Sequence, residues 1–543
     1  MKRFRGNPWA VLVVVSLGFF MTLLDLTIVN IAIPNMITSL HASLDDVLWV
    51  INAYALVLAV LLITAGRLGD IIGPRAMYAL GIALFTVASV ACGLAPGAGW
   101  LVAFRGVQGL GAAMLMPQTL TIITMIFPPE RRGAAFGIWG AVAGVATVAG
   151  PTLGGLLVTA FDWRWIFFVN LPIGALVLAL TGFLIPDLRT GRRHRLDIPG
   201  VLLASAALLA ICYGLVDGQR YNWGTITSFV SIPLVLGIGV AMLVAFLVVQ
   251  ALRQDREPLV PFALFRERNY ALMNFVSFAL TIGMLGIFLP LTIYLQSVLG
   301  FSALKAGLTL APASVISIFV APITGRMTDR IGGKYILTTG LALFAIGMGW
   351  VALTARPASA WYDFLPGLIV AGFGIGCTFP PLTTVAMRNI EPRMAGAASG
   401  VLNTVRQVGA VIGTAAIGAL LQNRLASSLT SEATQRSAAL PGPVRGPFIA
   451  AFQGAAKNGL QVGAGQNGGN FKAPQGLPQQ LVREISHVAH DVFTFGFVNA
   501  MRSTMVMPIA VLVVAGASSL AIKRQKRTGT DAPAEEAKAP TPA

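Results

Sequence analysis

Apolar residues arrive along this chain in blocks of about 20, the length at which a helix rising 1.5 Å per residue crosses a hydrocarbon core of about 30 Å. Read by length and polar interruption, the blocks predict fourteen spanning helices. They lie near 10–33, 47–66, 76–95, 101–125, 134–158, 165–185, 198–216, 228–250, 271–297, 306–324, 335–354, 364–387, 397–421 and 499–522. Two stretches break the pattern. Residues 422–498 are long, polar and rich in Gly, Gln and Asn, which predicts a partly disordered external loop with short helices near 446–457 and 479–492. The tail 523–543 is expected to be disordered.

Composition agrees with a chain built for lipid: 56% of its 543 residues are hydrophobic and 11% are charged, against about 25% charged in soluble domains. The net charge of +17 is scattered over short loops instead of gathering on one face, so it reports topology and no nucleic-acid partner is expected. With Met1 placed in the cytoplasm, the inner loops hold Arg67 and Arg75, Arg131 and Arg132, Arg326 and Arg330, and Lys523 to Arg527, among others. The short outer loops hold only Arg164, Arg220, Lys305 and Arg356. That asymmetry predicts both termini cytoplasmic and an even number of spans. The MKRFR start resembles a signal peptide, but the apolar run behind it is too long for one, and it is expected to stay as the first helix.

Cys92, Cys212 and Cys377 fall in apolar blocks without metal-ligand spacing, and His41, His194, His487 and His490 all lie outside the predicted spans. No metal site and no histidine proton relay are expected. There is no GxxxxGK[ST] phosphate cradle, so no nucleotide is expected, and no nucleophile–base pair points to an enzyme.

The chain repeats itself. GRLGDIIGPR at 66–75 follows the second span and GRMTDRIGGK at 325–334 follows the tenth, with Gly-Arg-x-x-Asp-x-Ile-Gly at identical offsets. A duplicated six-helix bundle with two helices inserted between the copies accounts for this placement, and a duplication argues for alternating access. The domains are then 1–190, an N-terminal bundle; 191–265, the two extra helices; 266–522, a C-terminal bundle carrying the loop 422–498; and the tail 523–543.

Asp25, in LDLTIVNIAIP, is the one carboxylate this reading places well inside a span. An intramembrane ionisable group is costly unless it has a partner or work, and removal from water favours the protonated form of a carboxyl group. It is the candidate proton-coupling acid; an aspartate satisfied by backbone groups in a packed interface is the alternative. Arg105, in LVAFRGVQGLGAAMLMP, sits about 6 Å below the outer end of its helix and Asp25 about 12 Å below its own, near enough in depth to interact. An arginine snorkelling to the outer interface is the other reading. In GAVAGVATVAGPTLGG, Gly140/Gly144 and Gly150/Gly154 recur at four-residue spacing, Pro151 removes a backbone donor, and Gly155 follows. The loop pair places Gly66, Arg67, Asp70, Gly73, Arg75, Asp329 and Arg330 at helix ends, where acids and arginines can form charge networks that hold a gate shut in one state. Arg406 and Gln407, in LNTVRQVGAVIGTA, are a further buried polar pair, functional or merely satisfied.

Together these motifs, with DWRWIFFVNLP at 162–172, resemble the major facilitator superfamily, specifically its fourteen-helix drug:proton antiporter branch, over nearly all of the chain except the loop and the tail. The resemblance implies an all-α integral membrane protein of the major facilitator fold: two six-helix bundles plus two extra helices, fourteen spans. It links Arg105 to proton transfer, makes the 140–155 segment a mark of antiporters, and assigns the loop pair to the cytoplasmic gate. Ile71 and Pro74 stand where the family pattern has a basic residue, so the first latch is expected to be the weaker. The expected function is proton-driven export of lipophilic cationic or neutral drugs by a monomer in the bacterial cytoplasmic membrane. Its expected partners are protons, small amphipathic substrates and the bilayer, with no cofactor. A dedicated exporter of an endogenous metabolite, lipid or siderophore, or an uptake symporter, are the alternatives.

Overall fold

The computed structural model describes residues 6–42, 44–188, 197–218, 220–221, 223–256, 258–457 and 478–523. Among them, fourteen helical spans are long and apolar enough to cross a membrane. The N-terminal bundle comprises α1 (Pro8–Leu40), α2 (Leu44–Ile72), α3 (Pro74–Gly93), α4 (Ala98–Ile126), α5 (Arg132–Ala160) and α6 (Asn170–Leu184). Two further helices follow, α7 (Ile198–Asp217) and α8 (Ile232–Leu252), linked by a small antiparallel hairpin of β1 (Thr225–Thr227) and β2 (Val230–Ser231). The C-terminal bundle comprises α9 (Arg268–Ile293), α10 (Ala303–Ile331), α11 (Lys334–Thr354), one span in two pieces, α12 (Leu365–Gly376) and α13 (Phe379–Met387), then α14 (Ala395–Arg436), α15 (Gly442–Lys457) and α16 (Gln479–Ser519).

The break between α12 and α13 has a local cause. Pro380 and Pro381 open the second piece, and a proline cannot donate to the preceding turn. Phe379 is thereby placed at the break. The inserted helices lie beside the seam between the bundles: Ala204 and Leu208 of α7 and Phe246 of α8 share an apolar cluster with Val60 and Ile63 of α2 and Val401 of α14.

Residues 422–498 depart from expectation. α14 continues as helix to Arg436, and α16 begins at Gln479. At 42 and 41 residues, both helices run to about 60 Å, twice the hydrocarbon core. Leu421, Leu425, Leu429 and Ala433 recur every four residues along α14 and are buried with Ile485, Val488, Ala489 and Val492 of α16, and with Phe448 and Phe452 of α15. Overall polarity concealed that stripe. Arg436 lies 3.8 Å from the centre of the Phe495 ring and pairs with Glu432 at 2.8 Å, so the polar face of the extension is bonded too. The expected helices near 446–457 and 479–492 thus fall within α15 and α16. The glycine-rich stretch 458–477 lies outside the described residues, as does the tail from 524.

The two bundles meet firmly at the end of the molecule that carries the basic loops. There, a Cβ on Gly66 would stand 2.5 Å from the carbonyl oxygen of Gly396, and one on Gly137 would stand 2.7 Å from that of Ala321. Only small residues permit such approach. Thr121 of α4 and Ser399 of α14 bond across the seam at 2.8 Å. Further along α1, Asn30 is an exposed polar side chain that donates to the Leu26 carbonyl at 3.0 Å.

Candidate functional site

Four N-terminal helices and the start of α6 bring a polar cluster together inside the first bundle. Asp25 (α1), Arg105 and Gln108 (α4) and Asn170 (α6) are all completely buried. Arg105 Nη1 donates to Asp25 Oδ2 in a direct ion pair and to Gln108 Oε1 at 2.7 Å; its Nε donates to the Val50 carbonyl at 3.0 Å. Gln108 Nε2 donates to Asp25 Oδ1 at 2.9 Å, and Asn170 Nδ2 reaches the same oxygen at 3.3 Å while donating to Ser89 Oγ at 3.0 Å. The guanidinium lies over the Tyr54 ring, 4.3 Å from its centre. A buried ion pair holds best when further bonds support both partners, and here Asp25 takes two more and Arg105 two more. Arg105 Nη2, Tyr54 Oη and Asn170 Oδ1 make no hydrogen bond, which leaves donors and an acceptor beside the carboxylate for a second arrangement.

Asp25 and Arg105 therefore meet, as their depths suggested, but they are sealed inside one bundle and do not line the space between the two. Gln108, Asn170, Tyr54 and Ser89 escaped the sequence reading. Gln108 follows Arg105 by three residues, on the same helical face, and was the one legible signal.

The duplicated loops form a second constellation. Asp70 Oδ1 and Oδ2 accept from the backbone N–H groups of Gly396 and Ala397, each at 3.0 Å. These residues lie in the first turn of α14, in the opposite bundle. Asp329, the repeat-related acid, accepts from Gly133 and Ala134, each at 2.8 Å, in the first turn of α5. Each half thus caps a helix of the other, where free N–H groups and the positive end of the helix dipole favour an anion. Gly73 and Gly332, at equal offsets in the repeat, have φ of 102° and 86°, left-handed values that suit glycine and turn the chain into the next span.

The expected Arg–Asp networks take a different form. Arg67 stands 3.8 Å from Asp70, but Arg75 donates to the Gly182 carbonyl at 2.7 Å within its own bundle, and Arg326 and Arg330 are exposed. Backbone amides replace arginines as the acids' main partners. The two latches are also alike in geometry despite Ile71 and Pro74, because in each the aspartate itself accepts two backbone N–H groups of the other bundle. Arg132, read from sequence only as a topological charge, is buried across the seam: it donates to Phe127 and Thr124 carbonyls on its own side and to Met387 and Arg388 carbonyls on the other, at 2.7 to 3.1 Å.

The glycine-rich segment lies in α5 but its pairs face different neighbours. Gly144 meets Ser314 and Ile318 of α10, and Gly140 stands opposite Phe379 and Pro380. Gly150 packs on Thr27 and Gly154 on Ile28 and Ile31, all of α1, whereas Gly155 faces open space. Pro151 continues the helix between them. α5 is thus in contact both with the helix of Asp25 and with the other bundle. Arg406 and Gln407 are half-buried on α14.

Comparison with known proteins agrees with this architecture. The model of the Major Facilitator Superfamily matches residues 15–414. The chain is 36% identical over 440 residues to the Multidrug resistance protein Stp of Mycobacterium tuberculosis, covering 81% of this chain and 80% of that one. It is 33% identical over 519 residues to the Tetracenomycin C resistance and export protein of Streptomyces glaucescens, covering 95% and 92%. The solved structure of the human organic anion transporter MFSD10 (TETRAN) matches with a TM-score of 0.57 at 13% identity, over 93% of this chain and 99% of that one; at that identity the likeness is one of fold. With these bacterial relatives and fourteen spans, the chain is a protein of the bacterial cytoplasmic membrane. It belongs to the Major Facilitator Superfamily and is a transporter, not an enzyme.

Proposed function

We propose that the chain is a drug efflux transporter driven by proton antiport, with Asp25 as the coupling acid. The observation that carries this reading is the burial of Asp25 against Arg105, Gln108 and Asn170 in one bundle, on the helix that packs on α5. Protonation of Asp25 cancels its attraction for Arg105 and leaves the guanidinium to Gln108, Val50 and Tyr54. α1 is then free to shift against α5, where Thr27 meets Gly150. α5 begins at the amides that Asp329 caps, so the movement reaches the gate. The basic end is the cytoplasmic one on the positive-inside rule, and the gate there is shut. Relatives named for multidrug resistance and for tetracenomycin export support efflux as the direction.

Asp25 is fully buried and paired with Arg105, so it offers no free carboxylate to a cationic substrate. The test is proton release in sealed vesicles holding a pH gradient. Addition of a substrate should collapse the gradient with the native chain and not with Asp25→Asn; the same collapse in both would remove Asp25 from the coupling role.

A further inference from the structure

We propose that Arg406 anchors the substrate and takes an oxyanion, so that the molecules carried are amphipathic anions with an aromatic body. The proposal rests on the exporter reading and names its substrate class. Arg406 is eleven residues into α14, about 16 Å from its start, which is half the depth of the core. Ser399, Asn403, Arg406 and Ala410 are spaced by three and four residues and share a face. Ser399 on that face bonds Thr121 of the other bundle, so the face looks across the seam. Substrate sites of duplicated transporters lie at this depth between the halves.

Among the described residues the guanidinium has no acid to balance it. Its one close partner among the described residues is the Phe379 ring, 5.2 Å from the centre, at the proline-made break between α12 and α13. Asp25 is engaged by Arg105, while Asp70 and Asp329 cap helix ends. Arg105 and Arg406 both lie within spans, and of these two the first is paired with a carboxylate and the second is not. An unbalanced charge at the midplane is costly, which marks it as functional. A guanidinium is always charged and offers paired N–H donors that match a carboxylate. Phe379 supplies an apolar ring beside it, and α5 of the other bundle approaches the same residue: a Cβ on Gly140 would stand 3.8 Å from the Cβ of Phe379 and 3.9 Å from Pro380. Phe379 and Arg406 are both half-buried, so an aromatic acid would set its ring against Phe379 with its acidic group on Arg406. Gln407 is half-buried on the next position, and Thr404 Oγ is buried without a hydrogen bond, so polar capacity remains nearby.

The experiment is equilibrium binding to the purified transporter of three probes on one ring system: 9-anthracenecarboxylate, its methyl ester and 9-(aminomethyl)anthracene, read by probe fluorescence. The native chain should prefer the carboxylate to the ester by about tenfold to a hundredfold, as a bond to a charged group contributes, and should bind the amine most weakly. Arg406→Gln should erase that preference while still binding the ester, and Arg406→Lys should retain part of it. Equal binding of acid and ester by the native chain, tightest binding of the amine, or binding of none of the three would overturn the proposal. So would an unchanged carboxylate preference in Arg406→Gln, or loss of all three probes by a monodisperse Arg406→Lys, which would make the residue structural. Binding needs no gradient, so a failure of proton coupling leaves this result intact and is told apart from it.

Discussion

Replacing Asp70 by Asn tests the capping latch without changing its size. Asp70 is almost fully buried and accepts two N–H groups from α14 at 3.0 Å. An amide keeps one acceptor and turns an NH2 group towards the other N–H. One bond to a charged acceptor is lost, worth about 1.5–3 kcal/mol, together with an attraction to the helix end of up to about 2 kcal/mol. Taking about 3 kcal/mol, the closed-to-open ratio falls about a hundredfold. A gate open about 1% of the time would then be open about half the time. Asp329→Asn should act alike, and the double variant should leave the gate almost always open, because both latches break in the same movement. Spin labels on cysteines at Glu130 and Glu391, exposed residues on opposite sides of the seam, report the distance by double electron–electron resonance. A longer-distance population should appear in each single variant and dominate in the double one. Distance distributions identical to the native in both single variants would refute the latch.

Three further outcomes follow from the same contacts. Arg105→Gln leaves the Asp25 carboxylate buried without its charge partner, so a loss of about 3–5 kcal/mol in stability should appear as a lower melting temperature, with Asp25→Asn/Arg105→Gln partly restored. Gly325→Val drives a side chain into the Gly133 backbone; the gate should fail to close, and a cysteine at Ala398 should become reactive to a membrane-impermeant thiol reagent from the basic side. Leu429→Ala, at a fully buried position on the α14 extension, should cost about 2–5 kcal/mol, seen as faster limited proteolysis of residues 422–498 with the membrane core intact.

The membrane-embedded half of this fold was open to reading because bilayer thickness fixes helix length and loop charge fixes order. Asp25 and Arg105 stood out for the same reason: a charge inside an apolar block demands a partner. The partners that carry no charge did not stand out. Gln108 and Asn170 resemble any amide in a packed helix, and the amides of Gly396, Ala397, Gly133 and Ala134 have no side-chain signature at all, so the latches were read as arginine networks. Arg132 looked like one more loop cation until its four carbonyl partners were in place. The extension was missed because its leucines recur at four-residue spacing within a polar segment, where average polarity suggests a loop and only periodicity suggests a helix.

In the proposed mechanism Asp25 couples transport to protons without itself being part of the transport path. The most direct measurement uses proteoliposomes in which the same drug is followed in two modes, uphill accumulation driven by an imposed pH gradient and downhill drug-for-drug exchange without one. The native chain should show both. Asp25→Asn should keep exchange and lose accumulation; a variant that still accumulates drug against its gradient, or a well-folded one that loses both modes equally, would contradict the separation of a sealed proton site from the space between the bundles.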